Sequence, residues 1–233
     1  MAGDRLQSIY NSKVHNWSKD FGINMAGRSK LLKTSYRAGK ENTILALKFL
    51  QDNEDLVKEV NNFYKDSTDE DLEINDTTNN SSVEFIEGDY DSIVSYINKL
   101  INDYNYNYND ILLVCHNHKP DCQKLQNMLP SNIKCNTRFV KDAKNSEMKS
   151  CLLTSTYYSS KGLEAKVVIL VDVDKFTDQL DKDKEIKDRK LLYVGMTRAS
   201  EKLVMHARNF NEESFANTIR NLKEEDFIFA NNI

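Results

Sequence analysis

The sequence predicts an α/β protein built on a parallel sheet with helices on both faces. Three observations predict it. Val167–Val173, apolar but for Asp172, and Ile111–Cys115 are apolar runs, and strands apolar on both sides belong to sheets buried on both faces. Strand-like and helix-like segments alternate along the chain, which is the signature of parallel βαβ units. The stretch from Lys190 to Met196 sets Leu191, Leu192, Val194 and Met196 beside Gly195 with no proline, a composition suited to a buried helix pressed onto a sheet.

Taken in order, residues 1–28 form a mixed polar segment. Within it Gly22–Ser29 spells GxxxxG followed by Arg-Ser. A phosphate-binding P-loop needs lysine there, a buried strand before it and a helix after it, and the context supplies none of these. Lys30–Ser35 reads as a strand. Glu41–Leu50 reads as a helix with Ile44, Leu45, Leu47 and Leu50 on or near one face. Asp66–Ser82 is acidic, rich in Asn, Ser and Thr, and without apolar period, hence a solvated loop. Val83–Ile86 is a short strand, and Asp89–Ile101 a helix with Asp89 or Asp91 near its N-cap. The Tyr/Asn alternation at 104–109 suits base stacking in principle, but its composition favours a polar linker.

After the strand Ile111–Cys115, Pro120 opens a helix running to Leu129. A strand near 133–140, a lysine-rich loop at 141–149 and a strand Cys151–Thr154 follow. Asp178–Lys190 is the charged, exposed start of the helix that leads to Arg198. Lys202–Ala207 is a short buried strand, and Phe215–Leu222 an amphipathic helix. Ligands in such sheets bind at the carboxyl ends of strands, where the loops after Ser35, Thr154 and Ala207 should lie.

Composition narrows the partners. The 233 residues are 39% hydrophobic and 29% charged, which is ordinary for a globular domain. The net charge is −4, so any nucleic-acid groove must be local. No apolar run reaches the roughly 18 residues that span a bilayer, and the N-terminus does not read as a signal peptide. The expectation is a soluble, cytoplasmic protein without a membrane partner. Cys115, Cys122, Cys135 and Cys151 show neither a CxxC pair nor zinc-ribbon spacing and read as reduced thiols. His116 and His118 would share a strand face and imitate a metal pair. They read instead as histidines of a strand-end loop, and no metal site of protein ligands is expected.

The chemistry concentrates at Thr197-Arg198-Ala199. A guanidinium in apolar surroundings needs an anion. From this stretch alone, a structural carboxylate and a bound phosphate serve equally well. A second stretch, Thr154–Asp174, carries a polar loop with Lys161-Gly162, then Glu164, then the apolar run. TYYSSKGLE, a strand and LLYVGMTRA together resemble two late motifs of the UvrD/Rep-like superfamily 1 DNA helicases. Gly3–Tyr10 is similar to that family's GDxxQSIY motif, and Leu32–Arg37 (LKTSYR) to the motif ending in Tyr-Arg. Four motifs in the family's order make the resemblance specific where no single one would.

The resemblance implies a second RecA-like motor domain, a P-loop NTPase-like fold without its own P-loop, over residues 29–233. Residues 1–28 would be a remnant of the first motor domain. It implies a catalytic set of Arg37, Arg198 and Gln7, the arginines reaching across a cleft to ATP and Gln7 sensing the γ-phosphate. Tyr36 would stack on the adenine, and Glu164, beside Gly162, would sit near the ribose. Tyr10, Thr156, Tyr158, Ser159 and Lys161 would touch single-stranded DNA, with movement 3′→5′. ATP with Mg2+ would be held mainly by the N-terminal motor domain, so this chain alone is expected not to turn over ATP. It is expected to be a monomer and a fragment of a longer enzyme. Three departures stand out: Tyr158 where the family often has histidine, Ala165 in place of an aromatic, and Asn11-Ser12-Lys13 without the aromatic often seen before a basic residue. They leave a second reading open, a non-catalytic protein-interaction module on a degenerate helicase fold.

Overall fold

The computed structural model describes residues 38–58, 81–177 and 181–224. Its strands are β1 (Ser82–Glu87), β2 (Ile111–Cys115), β3 (Thr137–Phe139), β4 (Leu152–Thr156), β5 (Ala165–Leu170) and β6 (Ala199–Ala207). They form one six-stranded sheet in the order β1-β6-β5-β2-β4-β3, and every neighbouring pair is parallel. The helices around it are α1 (Lys40–Gln51), α2 (Tyr90–Asn102), α3 (Gln123–Met128), the single turn α4 (Ser131–Lys134), α5 (Lys182–Met196) and α6 (Phe215–Glu224).

Alternation of side chains along the strands divides the core. Leu112 and Val114 of β2 and Val168 and Leu170 of β5 join the cluster under α1, α5 and α6. Ile111, Leu113 and Cys115, with Val167 and Ile169, join the cluster under α2 and α3. Both faces are therefore covered, which is why β2 and the stretch Val167–Leu170 of β5 are written as continuous apolar runs. The expected α/β class with helices on both faces is what the fold shows.

Caps set the helix starts. Asp89 accepts a hydrogen bond from the Asp91 amide at the head of α2. Asp181 accepts from Asp183 and Lys184 at the head of α5, satisfying amides that have no partner inside the helix. α5 lies close on the sheet because Gly195 faces β5: a Cβ there would come within 2.9 Å of Leu170 Cδ2 and 3.3 Å of Tyr157 Cε1.

Several boundaries differ from the sequence reading. β6 begins at Ala199 rather than Lys202, and β4 runs on to Thr156. β5 ends at Leu170, because Asp172 takes a left-handed backbone (φ 54) and turns the chain. The strand expected near 133–140 shrinks to Thr137–Phe139, Ile133 falling in a helical turn. Pro120 sits in an irregular turn, His118–Cys122, and regular helix starts only at Gln123. The Tyr/Asn stretch is more than a polar linker: Tyr106 packs against the core and its hydroxyl donates to Glu201 at 3.3 Å. Arg189 is buried, not part of an exposed helix face. The remnant assigned to 1–28, the strand at Lys30–Ser35 and most of the acidic loop lie outside the described residues. No described helix is long and apolar enough to cross a membrane.

Candidate functional site

Arg198 stands at the amino edge of the sheet, one residue before β6. Its carbonyl accepts from the Ala165 amide at the start of β5 at 3.2 Å. The side chain is 5% exposed. Nε donates to Val194 O at 2.8 Å, Nη1 to Leu163 O at 3.5 Å and Nη2 to Thr197 Oγ1 at 3.2 Å. The bond to Val194 caps the last turn of α5 with a cation, which the helix dipole favours.

The same edge receives the head of α1. The Gly39 amide donates to Ala199 O at 3.0 Å, and Asn42 Nδ2 donates to the same oxygen at 3.0 Å. Thr43 Oγ1 returns to Gly39 O at 3.0 Å, so the start of α1 is tied into one unit. Arg37 lies outside the described residues, as do Gln7, Tyr10 and Tyr36. Gly39 is two residues past Arg37, and Ala199 is one past Arg198.

The turn that starts at Thr156 occupies the opposite, carboxyl edge. Thr156 is in register with Cys115 and Val167 with Ile111, so the segment 157–164 returns along the height of the sheet. Thr156 Oγ1 accepts from the Ser159 amide at 3.2 Å and donates to Ser159 Oγ at 3.1 Å. Ser160 Oγ donates to Tyr157 O at 2.7 Å, and Gly162 closes the turn with φ 88, a left-handed conformation. Tyr157 anchors the turn in the core, its ring 5.3 Å from His116 and 5.0 Å from Phe176. Tyr158 points outward, 37% exposed, with Lys187 Nζ 5.5 Å from its ring centre. Lys161, Gly162 and Glu164 are exposed.

The described site residues therefore divide between two edges. The loops after Thr154 and Ala207 do lie at the carboxyl edge, as read from sequence. Arg198 and Glu164 lie at the amino edge, because they precede the strands β6 and β5 rather than follow them.

Behind the turn, a buried polar cluster closes the carboxyl edge. Asp172 Oδ2 accepts from the Tyr90 hydroxyl at 2.8 Å and pairs with Lys175 Nζ at 2.6 Å. Burial by itself pushes the Asp172 carboxyl up, but the bonds from Lys175 and Tyr90 outweigh it and hold the group below its ordinary value. The Asp172 amide donates to His206 Nδ1 at 3.2 Å, so the His206 proton sits on Nε2 and is donated to Gly88 O at 2.9 Å. Burial keeps both His206 and His116 below the ordinary histidine value. His116 Nε2 bonds Asp172 O at 2.9 Å, while the His118 ring stacks on Phe139 at 3.7 Å. The two histidines thus serve separate neighbours. Among the described residues, no group of three His, Cys, Asp or Glu is placed to hold a metal.

Sequence reasoning missed Gly39, Asn42, Asp172 and His206. Gly39 carried a signal, a lone glycine between a candidate arginine and a helix start. Asp172 was hidden inside an apolar run.

Residues 152–206 match the family model described as the UvrD-like helicase C-terminal domain. The matched segment contains Thr156, the turn after it, Glu164 and Arg198, and it bears out the resemblance carried by the two late motifs. Among solved structures, the C-terminal domain of a possible DNA helicase from Lactobacillus plantarum is similar, with a TM-score of 0.46 and 16% identity over 74% of this chain and 87% of that one. No curated protein matches the chain.

Proposed function

With a UvrD-like helicase C-terminal segment at residues 152–206, we propose that the chain is the second motor domain of an ATP-dependent 3′→5′ DNA helicase or translocase. In this reading, ATP with its Mg2+ is bound mainly by the N-terminal motor domain. The present chain supplies positive charge to it from Arg198 and Arg37. Gln7 senses the γ-phosphate, Tyr36 covers the adenine, and Glu164 with Gly162 lies toward the ribose.

One observation carries the proposal. The chain just after Arg37 is bonded to the residue just after Arg198, through Gly39 N–H and Ala199 O. The head of α1 and the residue that follows Arg198, far apart in sequence, thereby meet at one edge. Phosphoryl transfer asks the protein for little more than fixed charge where negative charge builds up. The Arg198 donor set fits phosphate oxygens, and its bonds to Val194 O and Leu163 O fix the fork in place.

The Leu163 bond also offers a link to DNA. Leu163 belongs to the segment that begins at Thr156, whose outer residues Thr156, Tyr158, Ser159 and Lys161 would meet the backbone and bases of single-stranded DNA, together with Tyr10. A shift of Arg198 on cleft closure would be felt along this short return segment, and hydrolysis would become a step along the strand.

The test is Arg198→Ala in the full-length protein. Hydrolysis should fall by about 10³–10⁵, while binding of a non-hydrolysable ATP analogue changes little. An unchanged kcat would end this reading.

A further inference from the structure

We propose that Asn42 is a positioning residue for ATP hydrolysis, setting where Arg198 stands against the head of α1. The inference rests on the motor reading above and adds to it a residue outside its four motifs.

The geometry is specific. Asn42 is fully buried at the head of α1, and its Nδ2 donates to Ala199 O, the carbonyl that Gly39 N–H already satisfies. One acceptor next to Arg198 is therefore held twice by the segment that follows Arg37. The approach is tight enough to exclude a side chain at residue 39: a Cβ there would press into Ser81 and stand 2.9 Å from Ser200 O. The other half of the amide, Asn42 Oδ1, is buried and meets no donor among the described residues. A flipped amide would set oxygen against oxygen, so Ala199 O fixes this orientation.

For stability alone, this amide is a poor choice. An unmet buried acceptor is unfavourable, and Ala199 O keeps its Gly39 donor without Asn42. An apolar residue of similar shape would pack the same space without the unmet oxygen. What it would lose is the second tether between the head of α1 and the residue that follows Arg198. A reacting group misplaced by about 1 Å can cost about a hundredfold in rate.

The experiment uses the full-length protein with single-stranded DNA. Asn42→Leu should lower kcat for ATP hydrolysis by about tenfold to a hundredfold. It should leave KM for ATP within about threefold and the thermal midpoint unchanged or raised. That split is the opposite of what a purely structural asparagine would give. Combined with Arg198→Lys, Asn42→Leu should add little further loss, since both act through the same guanidinium. Asn42→Asp keeps the shape, sets an oxygen against Ala199 O and should show the same kcat loss; it decides the matter if Asn42→Leu does not fold. Wild-type kcat in a folded Asn42 variant overturns the proposal, as does full multiplication of the two losses in the double variant. Wild-type kcat in Arg198→Lys instead brings down the motor reading, and the proposal with it.

Discussion

Arg189 shows how much a single buried guanidinium can organise. It lies between two aromatic rings, its Cζ 4.8 Å from the centre of Phe49 and 4.7 Å from that of Phe215. Nε donates to Glu185 Oε1 at 2.9 Å, and Nη1 to Phe49 O at 2.9 Å and Asp52 Oδ2 at 3.1 Å. The cation therefore joins α1, α5 and α6 at one point. Arg198, also buried, bonds Val194 O and Leu163 O at an edge of the sheet, so the two arginines nine positions apart do different work. Arg189→Ala should destabilise the fold by about 2–4 kcal/mol. The lower half of that range is favoured because Asp52 is 36% exposed and can regain water. Urea unfolding measures it, and a loss below about 0.5 kcal/mol would mean the network behaves like a surface ion pair.

At the scale of elements, α5 decides the site because it carries Arg189 in its body and ends two residues before Arg198. Its position depends on Gly195. Glycine inside a helix costs about 1 kcal/mol relative to alanine, so the contact with Leu170 and Tyr157 must outweigh that preference. Gly195→Val should overpack the helix–sheet interface and lower stability by about 1–3 kcal/mol, read as a fall in thermal midpoint. An equal or higher midpoint would show that the interface yields. The effect should extend to the turn at 156–162, since Tyr157 roots that turn in the same interface. The turn itself was legible as a motif, but its anchor was not: the neighbouring tyrosines read alike in sequence, and burial of one and exposure of the other follows from which way the chain leaves β4.

Across the whole molecule, the buried cluster at the carboxyl edge makes stability depend on pH. His206 and His116 titrate below their ordinary value in the folded state, so the fold holds them neutral. Below about pH 6.5 the unfolded chain binds protons that the folded chain does not, and stability falls as the pH drops through that range. Asp172 acts in the same sense at lower pH, its contribution being lost as the pH falls through its depressed folded value. The urea midpoint should be lower at about pH 5.5 than at about pH 7.5. His206→Asn, which keeps an acceptor for the Asp172 amide, should shrink the difference; an undiminished one would clear His206 of the effect.

The sequence by itself determined the α/β class, the burial of the sheet on both faces and the helicase-like order of motifs. Each of these is recorded locally, in apolar runs, in the change of period between strands and helices, or in short strings of residues. Only the tertiary structure decided which edge of the sheet Arg198 and the turn after Thr156 face, that Asn42 and Gly39 close on Ala199, and that Arg189 is enclosed by Phe49 and Phe215. The Asn42–Ala199 bond joins residues 157 positions apart, and the Arg189–Phe49 bond residues 140 apart. Contacts of that span come from the pairing order of parallel strands, and no periodicity within a segment records which strand will lie beside it.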